Sequence, residues 1–490
     1  MTRDATRDGL AWDNGGIDLE PCWTREPSLD AIQRVCRRHL GIPTPHSQEG
    51  EEGKGEGAEG DCAVHFHAAG ALNKLYLVDT RRGRFMMRVS LPVDPRNKTR
   101  GEMATLALVR RNTDIPVPLV VAFDDTSTNE IGFEWILMDF VPGKPAYYRW
   151  RGMTMAQKEA LAARVADFQA QLFRCSSLGV GFRGIGTLGT GPDQAGDNQA
   201  GGDQAGSHVP SVPNTPSPGP IVSSAFFSGP HFHYTVPRGP FPSSYDWLRA
   251  HLSIITKEHT NALADTQHHD DREYTEGVLR VARKLLRMLP RLFPAVVHPP
   301  ERTVLWNDFT LHNIMVDDAG RITAVLDWQC LATVPRWTAL QVPDFLRGAT
   351  RHDMPDRDRY TDVSDHGSNT SARSGLDDGL DNEGKTELFW IHLMEYEQTQ
   401  LRKVYAAHMR QRLPEWDMEI ADGALKVDFL GAVSRCGAGF YLRRVEQWVD
   451  ALERKDYLSL MEVLRVGIKK ERSGGVRQGG TAGQPVSRPE

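Results

Sequence analysis

The segment from Val304 to Gln329 contains three side chains whose types and spacing suit phosphoryl transfer. Asp308 is followed after four intervening residues by Asn313, and Asp327 comes later in the same segment. In such a reaction one carboxylate orients the acceptor hydroxyl and takes its proton. An amide oxygen and a second carboxylate hold Mg²⁺ on the nucleotide phosphates. The Asp-x-x-x-x-Asn spacing with a later Asp is typical of kinases, so the segment predicts a phosphoryl-transfer site.

A β-hairpin is predicted to hold these side chains. Residues 314–316 and 322–326 are apolar runs, and Asp-Asp-Ala-Gly at 317–320 between them has turn chemistry. In such a hairpin Asn313 begins the outgoing strand and Asp327 ends the returning one. Both therefore lie at the same end of the hairpin, beside Asp308.

The rest of the chain predicts an α+β fold with two lobes, a small β-rich N-lobe and a larger, mainly helical C-lobe. Apolar periodicity and capping residues place the elements. The N-lobe elements are a helix from Ser28 to Gly41, strands at 63–80, 84–90, 117–123 and 133–141, and a helix at 99–111. The C-lobe helices are predicted at 155–173, 273–292, 386–413 and 424–464, with a further helix from Tyr245 capped by Ser243-Ser244.

Four polar or Gly-rich stretches have too few apolar residues to form a packed core. We therefore expect an N-lobe at 20–141 with a disordered insert at 46–61, and a C-lobe at 142–471 with disordered inserts at 190–224 and 351–385. The tail at 472–490 is also predicted to be disordered.

Composition narrows the function classes. The formal net charge of −6 over 490 residues argues against a nucleic-acid partner. No run reaches the ~18 apolar residues of a membrane helix, and the N-terminus lacks the apolar core of a secretory signal. The six cysteines are scattered without a CxxC pair, which favours a reducing, cytoplasmic location. The oligomeric state does not follow from the sequence.

The catalytic segment VLWNDFTLHNIMVDDAGRITAVLDWQ resembles the corresponding motif of the aminoglycoside phosphotransferase family, above all its fungal members. The resemblance extends to EPCWTREPSLDAI, RVSLPVDPRNKTRGEMATL, IPVPLVVAFD, GFEWILMDFVPG, VPRGPF and HLMEYEQTQLR. It implies a protein-kinase-like fold that uses ATP and Mg²⁺ to phosphorylate a hydroxyl of a small molecule. The acceptor is expected near Asp308 and the loop at 330–347.

The resemblance also implies roles for individual residues. Asp308 matches the base, and Asn313 and Asp327 match the metal ligands. The other implied nucleotide-site residues are Gly70 in the phosphate-covering turn, Arg88 in place of the phosphate-gripping lysine, Glu102 as its helix partner, Met138 behind the adenine, and Asp139 and Val141 as the backbone groups on the adenine edge.

Three residues depart from the family pattern. Arg88 replaces lysine, Trp306 stands where a histidine is usual, and Gln329 stands where a glutamate is usual. These departures favour a second hypothesis, a pseudokinase that binds nucleotide or acts as a scaffold without turnover, whereas the intact catalytic set opposes it. Glu102 has two interpretations as well: an ion pair with Arg88, or a capping box with Thr99.

Overall fold

The computed structural model describes residues 7–15, 19–43, 61–175, 181–189, 216–265, 268–360 and 386–466. Most of each predicted insert, and the whole predicted tail, lie outside the described residues.

The N-lobe is built on one antiparallel sheet of five strands in the order β3-β4-β5-β7-β6. A hairpin of β1 and β2, which sequence reasoning did not predict, precedes it. The N-lobe elements are β1 (Leu10–Asp13), β2 (Glu20–Trp23), α1 (Leu29–Leu40), β3 (Cys62–Ala69), β4 (Asn73–Thr80), β5 (Gly83–Ser90), α2 (Asn97–Asn112), β6 (Val120–Asp124) and β7 (Glu134–Asp139).

Helix α1 shows why the N-lobe follows its sequence closely. The Ser28 hydroxyl accepts a hydrogen bond from the Ala31 amide at 3.3 Å, so it caps the first turn as predicted. Gly41 ends the helix at φ 64°, a left-handed conformation that glycine adopts without steric cost. Ile32 and Val35 of this helix are buried against the sheet.

The C-lobe contains ten of the described helices and three small sheets, so the two-lobed α+β architecture predicted above is confirmed. Its helices are α3 (Ala146–Arg149), α4 (Met155–Cys175), α5 (Ser224–Phe227), α6 (Ser244–Asp265), α7 (His269–Leu292), α8 (Arg336–Ala339), α9 (Glu387–Arg412), α10 (Trp416–Arg435), α11 (Gly439–Glu453) and α12 (Leu460–Val466). Its strands are β8 (Lys144–Pro145), β9 (Phe182–Arg183), β10 (Leu188–Gly189), β11 (Ser217–Pro218), β12 (Arg302–Leu305), β13 (Ile314–Val316), β14 (Ile322–Val325) and β15 (Thr333–Pro335). Of the helices in the described ranges, none is long and apolar enough to cross a membrane.

The predicted boundaries of two inserts are wrong at one end each. Strand β11 pairs with β10, and Val222 is fully buried, so residues 216–224 belong to the packed C-lobe. At the other insert, Arg351 forms an ion pair with Glu395, and the Tyr360 hydroxyl bonds His392 Nδ1 at 2.7 Å. Polar composition hid these contacts because a few anchoring side chains suffice to hold a polar segment on a packed surface.

One hydrophobic core spans the junction of the two lobes. Apolar residues of α2, such as Met103 and Val109, belong to the same buried cluster as Val165 of α4 and Ile314 and Val325 of the β13–β14 hairpin. This shared core fixes α2 relative to the hairpin, and with it the side chains that the two elements present to the junction.

Candidate active site

The β13–β14 hairpin brings two of the predicted site residues together. Ile314 pairs with Val325, and the Leu326 amide donates to the Asn313 carbonyl at 2.7 Å. Asn313 and Asp327 therefore lie at the same end of the hairpin, as the sequence predicts. An amide oxygen and a carboxylate are ligands that suit Mg²⁺, so the two residue types are compatible with the predicted metal site.

The backbone at Asp327 is in an uncommon conformation. Its φ is 59°, in the left-handed region that costs a non-glycine residue roughly 1 kcal/mol. Trp328, which is buried, donates its ring N–H to the Val325 carbonyl at 2.9 Å and fixes the turn. Strain that the surroundings maintain in this way is common at functional sites.

The Asp327 carboxylate is in a low-dielectric and highly charged environment. Burial, and then the Glu102 carboxylate, raise its pKa, while the Arg88 guanidinium and the Lys98 ammonium oppose that rise. A divalent cation would favour the ionised form, because a bound ion is the largest charge in such a site.

Asp308 lies on the loop between β12 and β13. In sequence it comes three residues after the buried Leu305 and directly before the buried Phe309. Its Oδ1 accepts a hydrogen bond from the Asp344 amide at 2.9 Å, and its Oδ2 forms an ion pair with Arg347. The loop at 330–347 thus returns to Asp308, where the acceptor is expected. Sequence reasoning missed Arg347 as a partner of Asp308, and no local pattern indicates a contact across 39 residues.

Arg347 is itself held in a mixed environment. Burial, and then the Arg435 guanidinium, lower the pKa of Arg347. Its Nε lies 3.7 Å from the Asp344 carboxylate. About half of the Arg347 side chain is exposed (47%), so it can move away from Asp308 without disturbing the core.

Arg88 of β5 and Glu102 of α2 form a buried ion pair between the sheet and the helix. They are 8% and 2% exposed. Burial opposes the charge of Arg88, but Glu102 outweighs it and leaves the pKa of the guanidinium raised. The capping-box interpretation of Glu102 is wrong: α2 begins at Asn97, and the Thr99 hydroxyl donates to Glu134 instead.

The Arg88 Nε atom is one of the unpartnered polar atoms in the described interior. It is buried, and it has no hydrogen-bond partner among the described residues. Buried donors are nearly always satisfied, so this N–H fits an anionic group bound at the lobe junction.

The predicted adenine-edge residues lie where the chain leaves the N-lobe sheet. Met138 and Asp139 end β7, and β8 at residues 144–145 already pairs with β13 of the hairpin. The Thr323 hydroxyl donates to the Pro142 carbonyl at 3.3 Å. Val141, between these contacts, therefore lies close to the hairpin that carries the predicted metal ligands.

Gly70 lies in the β3–β4 turn, as the sequence predicts, and its amide donates to the Asn73 carbonyl at 2.9 Å. A Cβ at this position would meet nothing within 4 Å. Packing in this structure therefore does not require glycine there, and the open space leaves room above the turn.

Sequence reasoning also missed a polar chain that connects the two lobes. The Lys98 ammonium donates to Asn73 Oδ1 at 2.9 Å and to Ser90 Oγ at 3.0 Å. Asn73 Nδ2 donates to Gln329 Oε1 at 2.9 Å. The available signal was spacing: Lys98 precedes Glu102 by four residues and so shares its face of α2.

The chain is similar to known proteins in sequence and in fold. A family-wide sequence model described as the phosphotransferase enzyme family (APH) matches residues 63–338. A subtelomeric hrmA-associated cluster protein of Aspergillus fumigatus is 23% identical over 316 residues, which are 57% of this chain and 59% of that relative. The chain thus spans somewhat more than half the length of this curated relative.

Two solved structures are similar over most of the chain at low identity. Aminoglycoside phosphotransferase APH(4)-Ia is 14% identical, covering 81% of this chain and 94% of that one, with a TM-score of 0.39. The streptomycin–ATP complex of APH(2")-IIa is 12% identical, covering 90% and 97%, with a TM-score of 0.37.

Proposed function

The chain belongs to the phosphotransferase enzyme family, and from this premise we propose that it transfers the terminal phosphoryl group of ATP to a hydroxyl of a small molecule. The observation that carries the proposal is the common end of the β13–β14 hairpin, where Asn313 and Asp327 meet. That end lies beside the predicted adenine-edge segment on one side and follows the Asp308 loop on the other.

Each residue has a distinct task in the proposed reaction. Asp308 accepts the proton of the acceptor hydroxyl and orients its oxygen. Asn313 and Asp327 provide the oxygens that would hold Mg²⁺. The metal, when bound, neutralises charge on the phosphates. Arg88, which Glu102 holds in place, would offer its unpaired Nε–H to a phosphate oxygen.

The ion pair between Asp308 and Arg347 sets a condition for turnover. In this structure the carboxylate is engaged by a guanidinium and by the Asp344 amide. A carboxylate has about four acceptor sites, so the condition is that the acceptor hydroxyl reaches a free site on Asp308, either beside these partners or in place of Arg347. The half-exposed Arg347 is the partner that can leave at lower cost.

A second candidate function is a nucleotide-binding pseudokinase. The pairing of the Asp308 carboxylate with Arg347 favours it, as does the arginine at position 88 where the family usually has lysine. In that case nucleotide binds but no phosphoryl group is transferred.

A thermal-shift titration tests the nucleotide and metal site common to both candidates. ATP at about 100 times its Kd should stabilise the protein by roughly 2.7 kcal/mol, with part of the shift dependent on Mg²⁺. Asp327→Ala should lose the Mg²⁺-dependent part. Asp318→Ala, at the opposite end of the same hairpin, should keep it.

Transfer of phosphate from ATP to an acceptor then separates the kinase from the pseudokinase.

If the Mg²⁺-dependent thermal shift of the Asp327→Ala variant equals that of the wild-type protein, Asn313 and Asp327 do not hold the metal and the proposed site is wrong.

A further inference from the structure

Two lysines are deeply buried in the described part of the chain, and their surroundings differ. Lys158, 3% exposed, forms an ion pair with Glu397 at 2.6 Å. Lys98, 2% exposed, donates only to neutral oxygens, Asn73 Oδ1 and Ser90 Oγ. Within the described ranges it forms no ion pair.

A buried ammonium without a counter-ion is costly. Hydrogen bonds to neutral groups recover only part of the lost hydration, and the remaining penalty is several kcal/mol. Burial, and then the Arg88 guanidinium, lower the pKa of Lys98, and the carboxylates Glu102 and Glu134 oppose this. No carboxylate of the described residues forms an ion pair with this ammonium, so an anionic ligand would stabilise its charge.

The position of Lys98 indicates which ligand would neutralise it. Its partner Asn73 begins β4 directly after the β3–β4 turn that contains Gly70. The same Asn73 side chain donates to Gln329, two residues after Asp327. Lys98 therefore lies between the turn expected to cover the phosphates and the hairpin end expected to hold the metal.

Arg88 alone does not provide the positive charge that a triphosphate requires, because Glu102 neutralises it. Gln329 does not neutralise the charge of Lys98 either, because its side chain is a neutral amide where the family usually has a carboxylate. Of the two buried cations described at this junction, Arg88 forms an ion pair with a carboxylate and Lys98 does not.

We propose that Lys98 is a phosphate-binding residue that neutralises the polyphosphate of a bound nucleotide. This assignment deepens the function proposed above and rests on it. The helix residue Lys98 would then supply the charge that a strand lysine supplies in related kinases, while Arg88 contributes its Nε–H donor.

Lys98→Met and the matched variant Lys158→Met test the proposal, with melting temperature and nucleotide affinity measured for each. Lys98→Met removes an unneutralised charge, and Asn73 Oδ1 keeps its hydrogen bond from Ser90 Oγ. The apo protein should therefore melt at an equal or higher temperature. The Kd for Mg²⁺-ATP should rise about tenfold or more, which is ~1.4 kcal/mol, and the Kd for adenosine should not change.

Lys158→Met should show the opposite pattern. It leaves the Glu397 carboxylate without its counter-ion, so the apo melting temperature should fall, while the affinity for Mg²⁺-ATP stays that of the wild-type protein. Lys98→Arg, which keeps the charge, should retain part of the affinity that Lys98→Met loses.

A lower apo melting temperature for Lys98→Met together with an unchanged Kd for Mg²⁺-ATP would overturn the proposal, because Lys98 would then only anchor Asn73 and Ser90. Inorganic tripolyphosphate separates this failure from failure of the proposed function. If the wild-type protein binds tripolyphosphate through Lys98 but not ATP, the proposed function is wrong and the phosphate site remains. If it binds neither, both are wrong.

Discussion

Replacing Glu102 with glutamine removes the negative half of the buried ion pair with Arg88 while keeping the shape of the side chain. Both residues are almost fully buried, at 2% and 8% exposed. Removing one partner of such a pair costs about 3–5 kcal/mol, because the other charge remains buried without compensation. We expect Glu102→Gln to lower the free energy of unfolding by that amount.

Urea unfolding followed by tryptophan fluorescence measures this loss. The double variant Arg88→Met/Glu102→Leu should recover most of it, since replacing both charges by apolar groups of similar volume is often close to neutral. The matched control is Glu276→Gln. Its partner Arg272 forms an exposed i,i+4 pair with both side chains 54% exposed, and such pairs contribute about 0.3–0.5 kcal/mol.

The reasoning is refuted if Glu102→Gln costs no more than Glu276→Gln. The pair would then be hydrated in solution, and the buried arrangement of Arg88 that underlies the proposed phosphate site would not exist.

Two further predictions concern packing and pH. Val222→Ala should lower the free energy of unfolding in urea by about 2–3 kcal/mol, because Val222 is fully buried. The control Val296→Ala, at an 87% exposed position, should lower it by less than about 0.5 kcal/mol. Equal losses would mean that residues 216–224 do not pack. Burial lowers the pKa of His251 from 6.5 to about 4. As pH falls through this range, His251 is protonated in the unfolded chain but stays neutral in the folded one, so the free energy of unfolding decreases. His251→Leu should reduce the loss of stability between pH 6.5 and 4 by about 3 kcal/mol, and identical pH profiles for the two proteins would contradict this.

The features predicted correctly from sequence depend on neighbours along the chain. Ser28 and Gly41 delimit α1 through local hydrogen bonds and a single backbone angle. The turn at residues 317–320 reverses the chain and so brings Asn313 and Asp327 to one end, although a register shift lies between Met315 and Val316. Periodicity and turn chemistry contain this information directly.

The features that were missed depend on contacts between distant segments. The pairing of Arg347 with Asp308 and the burial of Lys98 beside Asn73 join residues with no shared local pattern. Thr99 fits a capping-box spacing, yet α2 begins two residues earlier, at Asn97, and the Thr99 hydroxyl donates to Glu134 of β7. Tertiary packing decided these contacts.

The central claim is that Asp308 is the base of a phosphotransferase, and one measurement tests it most directly. Purified wild-type and Asp308→Asn proteins are incubated with Mg²⁺-ATP and a broad pool of hydroxylated metabolites, and phosphorylated products are quantified by mass spectrometry. We expect the wild-type protein to phosphorylate at least one acceptor. Asp308→Asn should bind Mg²⁺-ATP as tightly as the wild-type protein but turn over about 10²–10⁴-fold more slowly. Kinase activity that survives Asp308→Asn undiminished would contradict the account, because the catalytic carboxylate would then be a different residue.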